Sequence, residues 1–166
     1  FQQYPMINEE DILNMPEPEK ITEFKKIENC ETFKNRMLEK GLNLEHSDIK
    51  RFFYAPALDK IHMLRPELFN SNHDYYSVLF HEIGHWTGHT SRCKRKFDGD
   101  RKNYAFEELV AEIFSSFVCN QVGIEQTPRD DHAKYLNSWI KALQDDYTLL
   151  WDASKLSSRA LAWCNK

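Results

Sequence analysis

The chain has 166 residues, 41% of them hydrophobic and 13% aromatic, and a formal net charge of −4. That length suits one ordinary domain able to bury a real core, and the mild acidity gives no overall pull towards nucleic acid. No apolar run approaches the roughly 18 residues of a membrane span and no signal peptide is visible, so a cytoplasmic protein with no membrane partner is expected.

Residues 1–27 are polar and punctuated by Pro5, Pro16 and Pro18. They read as an extended arm with one short helical turn, ahead of a domain over 28–166. Residues 28–40 suit a helix, with Phe33, Met37 and Leu38 as its apolar spots and Gly41 as its stop. Arg51–Tyr54 and Lys60–Leu64 read as two strands joined by the turn Ala55-Pro56-Ala57-Leu58-Asp59. The next stretch places Tyr76, Leu79, Phe80, Ile83 and Trp86 at helical spacing. Ser71, Asn72 or Asp74 can cap its start and Gly88 can end it. Gly84 inside it costs roughly 1 kcal/mol of helix propensity against Ala, which suggests that another helix or a site wall passes close to the backbone. A basic loop over 90–102 follows. Residues 104–122 then form a helix, with Leu109, Ile113 and Phe117 on its apolar face, Val110 and Phe114 on the flank, and Gly123 as its stop. Two further helices are expected near 130–145 and 147–163, packed through Trp139, Leu143, Leu149, Leu150, Trp151, Leu161 and Trp163. The fold class is α+β, mostly helical, with a small antiparallel sheet before the helix that ends at Gly88. Cys30, Cys93, Cys119 and Cys164 are scattered without a C-x-x-C and read as free thiols of a reducing compartment.

Residues 81–89 carry the chemistry: His81-Glu82-Ile83-Gly84-His85-Trp86-Thr87-Gly88-His89. This contains H-E-x-x-H. On a helix, His81 and His85 project from one face and can grip one metal ion. Two neutral imidazoles suit zinc, and Glu82 can reach a water at the open position as general base.

A third protein ligand is needed. A third His six residues after the second, the long metzincin spacing, fails because that position is Ser91. His89 would converge on the same ion only if Gly88 broke the helix; otherwise it is a group behind the ligands or on the substrate side, or an ordinary polar residue at a helix end. Glu108 and Glu112 are four apart on the following helix and stack on one face, where they repel unless a cation sits beside them. Glu108 is read as the third ligand. Glu112 is read as the partner of a metal-binding His, fixing its tautomer. Glu107 points about 100° away and is read as solvent-facing or a helix-start charge.

Tyr75 to His89, then Ser91-Arg92, then Tyr104-Ala105-Phe106-Glu107-Glu108-Leu109-Val110-Ala111-Glu112 resemble the zincin-type metallopeptidase domain of the ArdC antirestriction family. Related domains occur in TraC-type plasmid primases and in polyvalent proteins of phages and plasmids. The similarity extends through Arg51-Phe52-Phe53-Tyr54-Ala55-Pro56, Asp59 to Met63, His132 to Tyr135, Ser138 to Leu143 and Asp152-Ala153-Ser154. It spans roughly 28–164. It implies His81, His85 and a Glu of the second helix as ligands, with Glu82 catalytic. ArdC-like proteins also carry an N-terminal single-strand DNA-binding domain, which these residues do not include, so antirestriction activity does not transfer to the domain by itself.

The expected function is zinc-dependent peptide-bond hydrolysis on a protein or peptide substrate, linked to a mobile genetic element. Tyr104, just before the Glu helix, is the first candidate for an oxyanion donor; His132, Tyr135 and His89 are weaker ones. The strand at 59–64 is the candidate for pairing with an extended substrate. Arg92, Lys94, Arg95, Lys96, Arg101 and Lys102 read first as a solvated loop, with nucleic-acid contact as the alternative; no aromatic ladder is interleaved for base stacking. Two rival classes are a non-catalytic zinc-stabilised binding module for protein or DNA, which needs no general base, and a delivered effector protease, which needs an export route. Oligomeric state is not legible.

Overall fold

The computed structural model describes residues 23–95, 101–126, 139 and 146–166. Most of the expected arm lies outside these residues. Its end, 23–27, is neither helix nor strand, yet Phe24 meets Tyr75 edge-on at 5.1 Å between ring centroids and Ile27 packs on the core. Helix α1 (Glu28–Glu39) buries Cys30, Phe33 and Met37 along one face, while Leu38 is left 40% exposed. Gly41 ends it at φ +93°, a left-handed conformation that glycine adopts at little cost.

Strands β1 (Asn43–Ser47), β2 (Phe53–Ala55) and β3 (Lys60–Leu64) form one sheet in the order β1-β3-β2. The expected antiparallel pair is β2 with β3, Phe53 opposite His62 and Ala55 opposite Lys60. β1 adds a parallel neighbour, running from Asn43 opposite Lys60 to Ser47 opposite Leu64, so the sheet is mixed. The sequence hides β1 because Leu44 is its one apolar residue. β3 therefore has a strand on each side and is not the free edge that an extended substrate would need.

The β2–β3 turn is a single 3₁₀ turn, Pro56–Leu58, closed by Asp59 at φ 46°. Asp59 accepts from both terminal nitrogens of Arg92 and from the Tyr54 hydroxyl. Arg92 also donates from Nε to the Trp86 carbonyl at 2.7 Å and stacks 4.1 Å from the centre of the Trp86 ring. The start of the basic loop is thus fastened to the sheet.

Helix α2 (Asn72–Thr87) begins as expected: the Ser71 hydroxyl accepts the Asp74 N–H at 3.0 Å. Tyr76, Leu79, Phe80, Ile83 and Trp86 are all fully buried. Helix α3 (Arg101–Val122) lies across it, and the contact explains Gly84. A Cβ on Gly84 would meet the Ala111 Cα at 3.0 Å. Gly84→Ala should therefore destabilise the protein by about 1–3 kcal/mol through overpacking, against a helix-propensity gain of roughly 1 kcal/mol. Denaturant unfolding checks this, and a variant more stable than wild type would show that the two helices part freely.

The core face of α3 is Val110, Ala111, Phe114, Val118 and Val122, all buried. Leu109, Ile113 and Phe117, expected at its centre, are only partly buried. Helix α4 (Thr148–Cys164) docks through Ala153, Ser157, Ala160 and Cys164. The Ser157 hydroxyl donates to the Val110 carbonyl at 2.7 Å. These small side chains let two helix backbones approach, so the larger Leu150 and Trp151, expected to pack, are 49% and 67% exposed instead. Trp163 does pack, edge-on to Trp86 at 5.6 Å. The helix expected near 130–145 lies outside the described residues except for Trp139, whose indole N–H donates to the Ala105 carbonyl at 2.9 Å. All four cysteines are buried and unpaired. No helix among the described residues is long and apolar enough to cross a membrane.

Candidate metal centre

One turn of α2 separates His81 from His85, and their Nε2 atoms lie 3.1 Å apart. Glu108 reaches in from α3. Its two carboxylate oxygens lie 3.4 Å from His81 Nε2 and 3.5 Å from His85 Nε2. Among the described residues these three form the one group of His, Cys, Asp and Glu able to hold a metal ion. Bonds of 2.0–2.2 Å at tetrahedral angles space ligand atoms about 3.3 Å apart, and the three contacts, with each Glu108 oxygen facing a different Nε2, are of that order. All three residues are largely buried, and three protein ligands leave a fourth position open.

Each imidazole is also held from behind. His81 Nδ1 lies 3.0 Å from Glu112 Oε2, and the other Glu112 oxygen accepts from the Gln126 amide at 2.6 Å. His85 Nδ1 lies 3.3 Å from Glu107 Oε1. Glu107 is buried and bound by Arg95, from Nε at 2.9 Å and from Nη2 at 2.8 Å. Both Nδ1 atoms face carboxylates, so Nε2 is the atom that each ring turns towards its partner and Glu108.

The charges are strongly coupled. Burial alone would lower the pKa of His85, but hydrogen bonds to Glu107 and Glu108 and the nearby charge of Glu82 outweigh it and push the imidazole up to about 10. Burial would raise Glu108; its bonds to His81 and His85 hold it instead far below the usual carboxylate range. Glu107 is also lowered, its burial offset by His85 and Arg95. A buried cluster this rich in carboxylate is one a cation would stabilise.

Among the other predicted residues, Glu82 is 3% exposed, next to His81, and outside the ligand trio. Tyr104 is 53% exposed, one helical turn before Glu108 on the same face of α3. His89 lies past the end of α2, its Nδ1 2.8 Å from the Ser91 hydroxyl, and is not part of the converging trio. His132 and Tyr135 lie outside the described residues. The expectation for Glu107 is corrected: it is 5% exposed and paired, because α3 is rotated towards the Val110–Phe114 side. The loop expectation is corrected too. Arg92 and Arg95 turn inward onto Asp59 and Glu107, which removes them from any surface offered to nucleic acid. Glu107, Arg95 and Gln126 were the residues the motif did not disclose. Glu107 has a signal in the 107–111–114–118 spacing of buried positions; Arg95 and Gln126 have none.

Comparison with known proteins fits this geometry. A family model described as a zincin-like metallopeptidase matches residues 28–156. A DNA primase TraC of Escherichia coli is 40% identical over 132 residues, which cover 76% of the chain and 12% of that protein. The protein y4eC of Sinorhizobium fredii (strain NBRC 101917 / NGR234) is 30% identical over 150 residues, covering 89% of the chain and 48% of y4eC. The Mn(II)-bound crystal structure of the antirestriction ArdC protein from plasmid R388 superimposes with a TM-score of 0.75 at 36% identity, over 86% of the chain and 52% of that structure. Its metal-free form gives 0.74. The chain thus spans no more than about half the length of these relatives.

Proposed function

The chain belongs to the zincin-like metallopeptidase family, and on that premise we propose that it is a zinc-dependent peptidase domain acting on a protein or peptide substrate. The observation that carries this is the convergence of His81 Nε2, His85 Nε2 and the Glu108 carboxylate at 3.1–3.5 Å, with a buried carboxylate, Glu82, next to His81 in sequence and outside the ligand set. A purely structural site closes its fourth position with a protein ligand and needs no general base. Two imidazoles and a carboxylate suit zinc among divalent ions. When bound, zinc supplies Lewis-acid polarisation and makes water a nucleophile near neutral pH.

The remaining work falls to the chain. Glu112 and Glu107 hold the two imidazoles in one tautomer. Glu82 takes the proton of the attacking water and returns it to the leaving amine. The Tyr104 hydroxyl is the donor for charge developing on the carbonyl oxygen. We place this activity in the service of a mobile genetic element, cleaving host protein or countering restriction. The relatives' names favour one second reading: a metal-stabilised module that sequesters a protein or DNA partner within a larger DNA-handling protein.

The test is turnover. The chelated protein and the same sample restored with one equivalent of zinc are incubated with host-cell extract, and new protein N-termini are identified by mass spectrometry. New termini in the zinc-restored sample alone support the peptidase; zinc-dependent capture of a partner with no new termini supports the binding module.

A further inference from the structure

We propose that Glu107 and Arg95 are a positioning pair for His85, fixing its ring and tautomer so that Nε2 faces the metal position. The inference rests on the reading of His81, His85 and Glu108 as a metal site. It assigns to a residue of the basic loop a place in the wall of that site.

The guanidinium of Arg95 is engaged at every nitrogen. Nε and Nη2 grip the two oxygens of Glu107 at 2.9 and 2.8 Å. Nη2 also donates to the Gly84 carbonyl at 2.6 Å, and Nη1 to the Thr87 hydroxyl at 3.0 Å. The Arg95 backbone N–H donates to the Gly88 carbonyl at 2.8 Å. Gly84 and Thr87 flank His85 in sequence, so Arg95 clamps the backbone of the same turn whose side chain Glu107 holds. Arg95 is 8% exposed and Glu107 5%. Burying such a pair costs free energy unless its geometry is near ideal, and it contributes little stability beyond an apolar pair of equal volume. Its place directly behind a metal-capable imidazole gives it a use other than stability.

Each imidazole is backed by a carboxylate that is itself held. Glu112, behind His81, is bound by the neutral amide of Gln126. Glu107, behind His85, is bound by a full positive charge. Arg95 draws electron density from Glu107, so Glu107 accepts the His85 Nδ1 hydrogen without pulling the proton across. His85 is thereby aimed firmly.

The experiment measures metal affinity by chelator competition and the visible absorption of the cobalt(II)-loaded protein, which reports ligand geometry. Glu107→Gln keeps the size and an acceptor but removes the charge. It should lower affinity by about 10–100-fold, the usual effect of losing such a partner, and shift the cobalt spectrum, with the far-UV circular dichroism of the metal-free protein unchanged. Arg95→Lys keeps the charge but not the two-pronged grip, and should show a smaller loss of the same kind. Unchanged affinity and spectrum in a folded Glu107→Gln protein overturn the proposal. Should that variant fail to fold because Arg95 is left unpaired, nitrogen-15 histidine spectra of zinc-loaded wild type decide the matter. Protonated Nδ1 and metal-bound Nε2 at His85 support it; metal at Nδ1 overturns it. Wild type that takes up no divalent metal overturns the site reading and this inference together, whereas metal-binding wild type with an indifferent Glu107→Gln overturns the inference alone.

Discussion

His81→Ala and His85→Ala proteins should be purified without tightly held zinc, while wild type holds about one ion per chain. Each substitution removes one of three converging atoms, at Nε2 positions 3.1 Å apart. The loss should exceed the roughly 10–100-fold that follows removal of an outer hydrogen-bond partner. Glu108→Ala should behave similarly, since its carboxylate spans both Nε2 atoms. Thermal unfolding gives an independent check. Zinc at about one hundred times its dissociation constant adds roughly 2.7 kcal/mol to wild-type stability, and should add almost nothing to any of the three variants. The pH dependence has a definite sign. The raised pKa of His85, about 10, means that metal must displace a proton, so affinity rises with pH up to that value. In the metal-free protein the same raised pKa contributes stability that is complete below the unfolded value of about 6.5 and is lost as pH climbs towards 10. Zinc stabilisation and metal-free stability should therefore run in opposite directions across that window. Elemental analysis of well-folded wild type that finds no transition metal, prepared without chelator, sinks the metal reading.

The parts of this site that lie on one helix face were legible in the sequence, because a helix converts spacing directly into direction. His81 and His85 share a face for that reason, and so do Glu108 and Glu112. The cost of Gly84 was legible as a close approach, and Ala111 is what approaches. The miss at Glu107 is a miss of rotation. Leu109, Ile113 and Phe117 form as good an apolar stripe as Val110, Phe114 and Val118, and periodicity alone does not say which one faces α2. The structure buries the second stripe, which carries Glu107 inward beside Glu108. Arg95 was illegible for another reason. Its charge follows Cys93-Lys94 in a run that looks solvated, and only the path of the loop, with Lys94 at φ 55° and Arg92 anchored on Asp59, turns it back onto the helix. The polar strand β1 and the small-residue face of α4 likewise depend on partners distant in sequence. Pairing and close packing decided them, rather than their own hydrophobicity.

Glu82→Gln should separate catalysis from binding more sharply than any other change. The amide keeps the size and hydrogen-bonding shape of the side chain and removes the base. Glu82 lies outside the trio of candidate ligands, so zinc content should stay near one per chain and the zinc-loaded melting temperature should change little. Its charge does help to raise the pKa of His85, so the variant should release that proton more readily and bind metal no more weakly than wild type at neutral pH. Hydrolysis is where the effect must appear. General-base assistance is worth about 10²–10⁴-fold, and Glu82 is a carboxylate only 3% exposed whose charge is felt at His85. Turnover of any peptide substrate should therefore fall by about that factor, together with every cellular effect that depends on cleavage. Loss of metal in this variant would place Glu82 among the ligands. Full retention of a partner-binding or DNA-protecting effect, with turnover absent in wild type as well, would leave the fold and the metal centre intact and make that centre a scaffold for recognition.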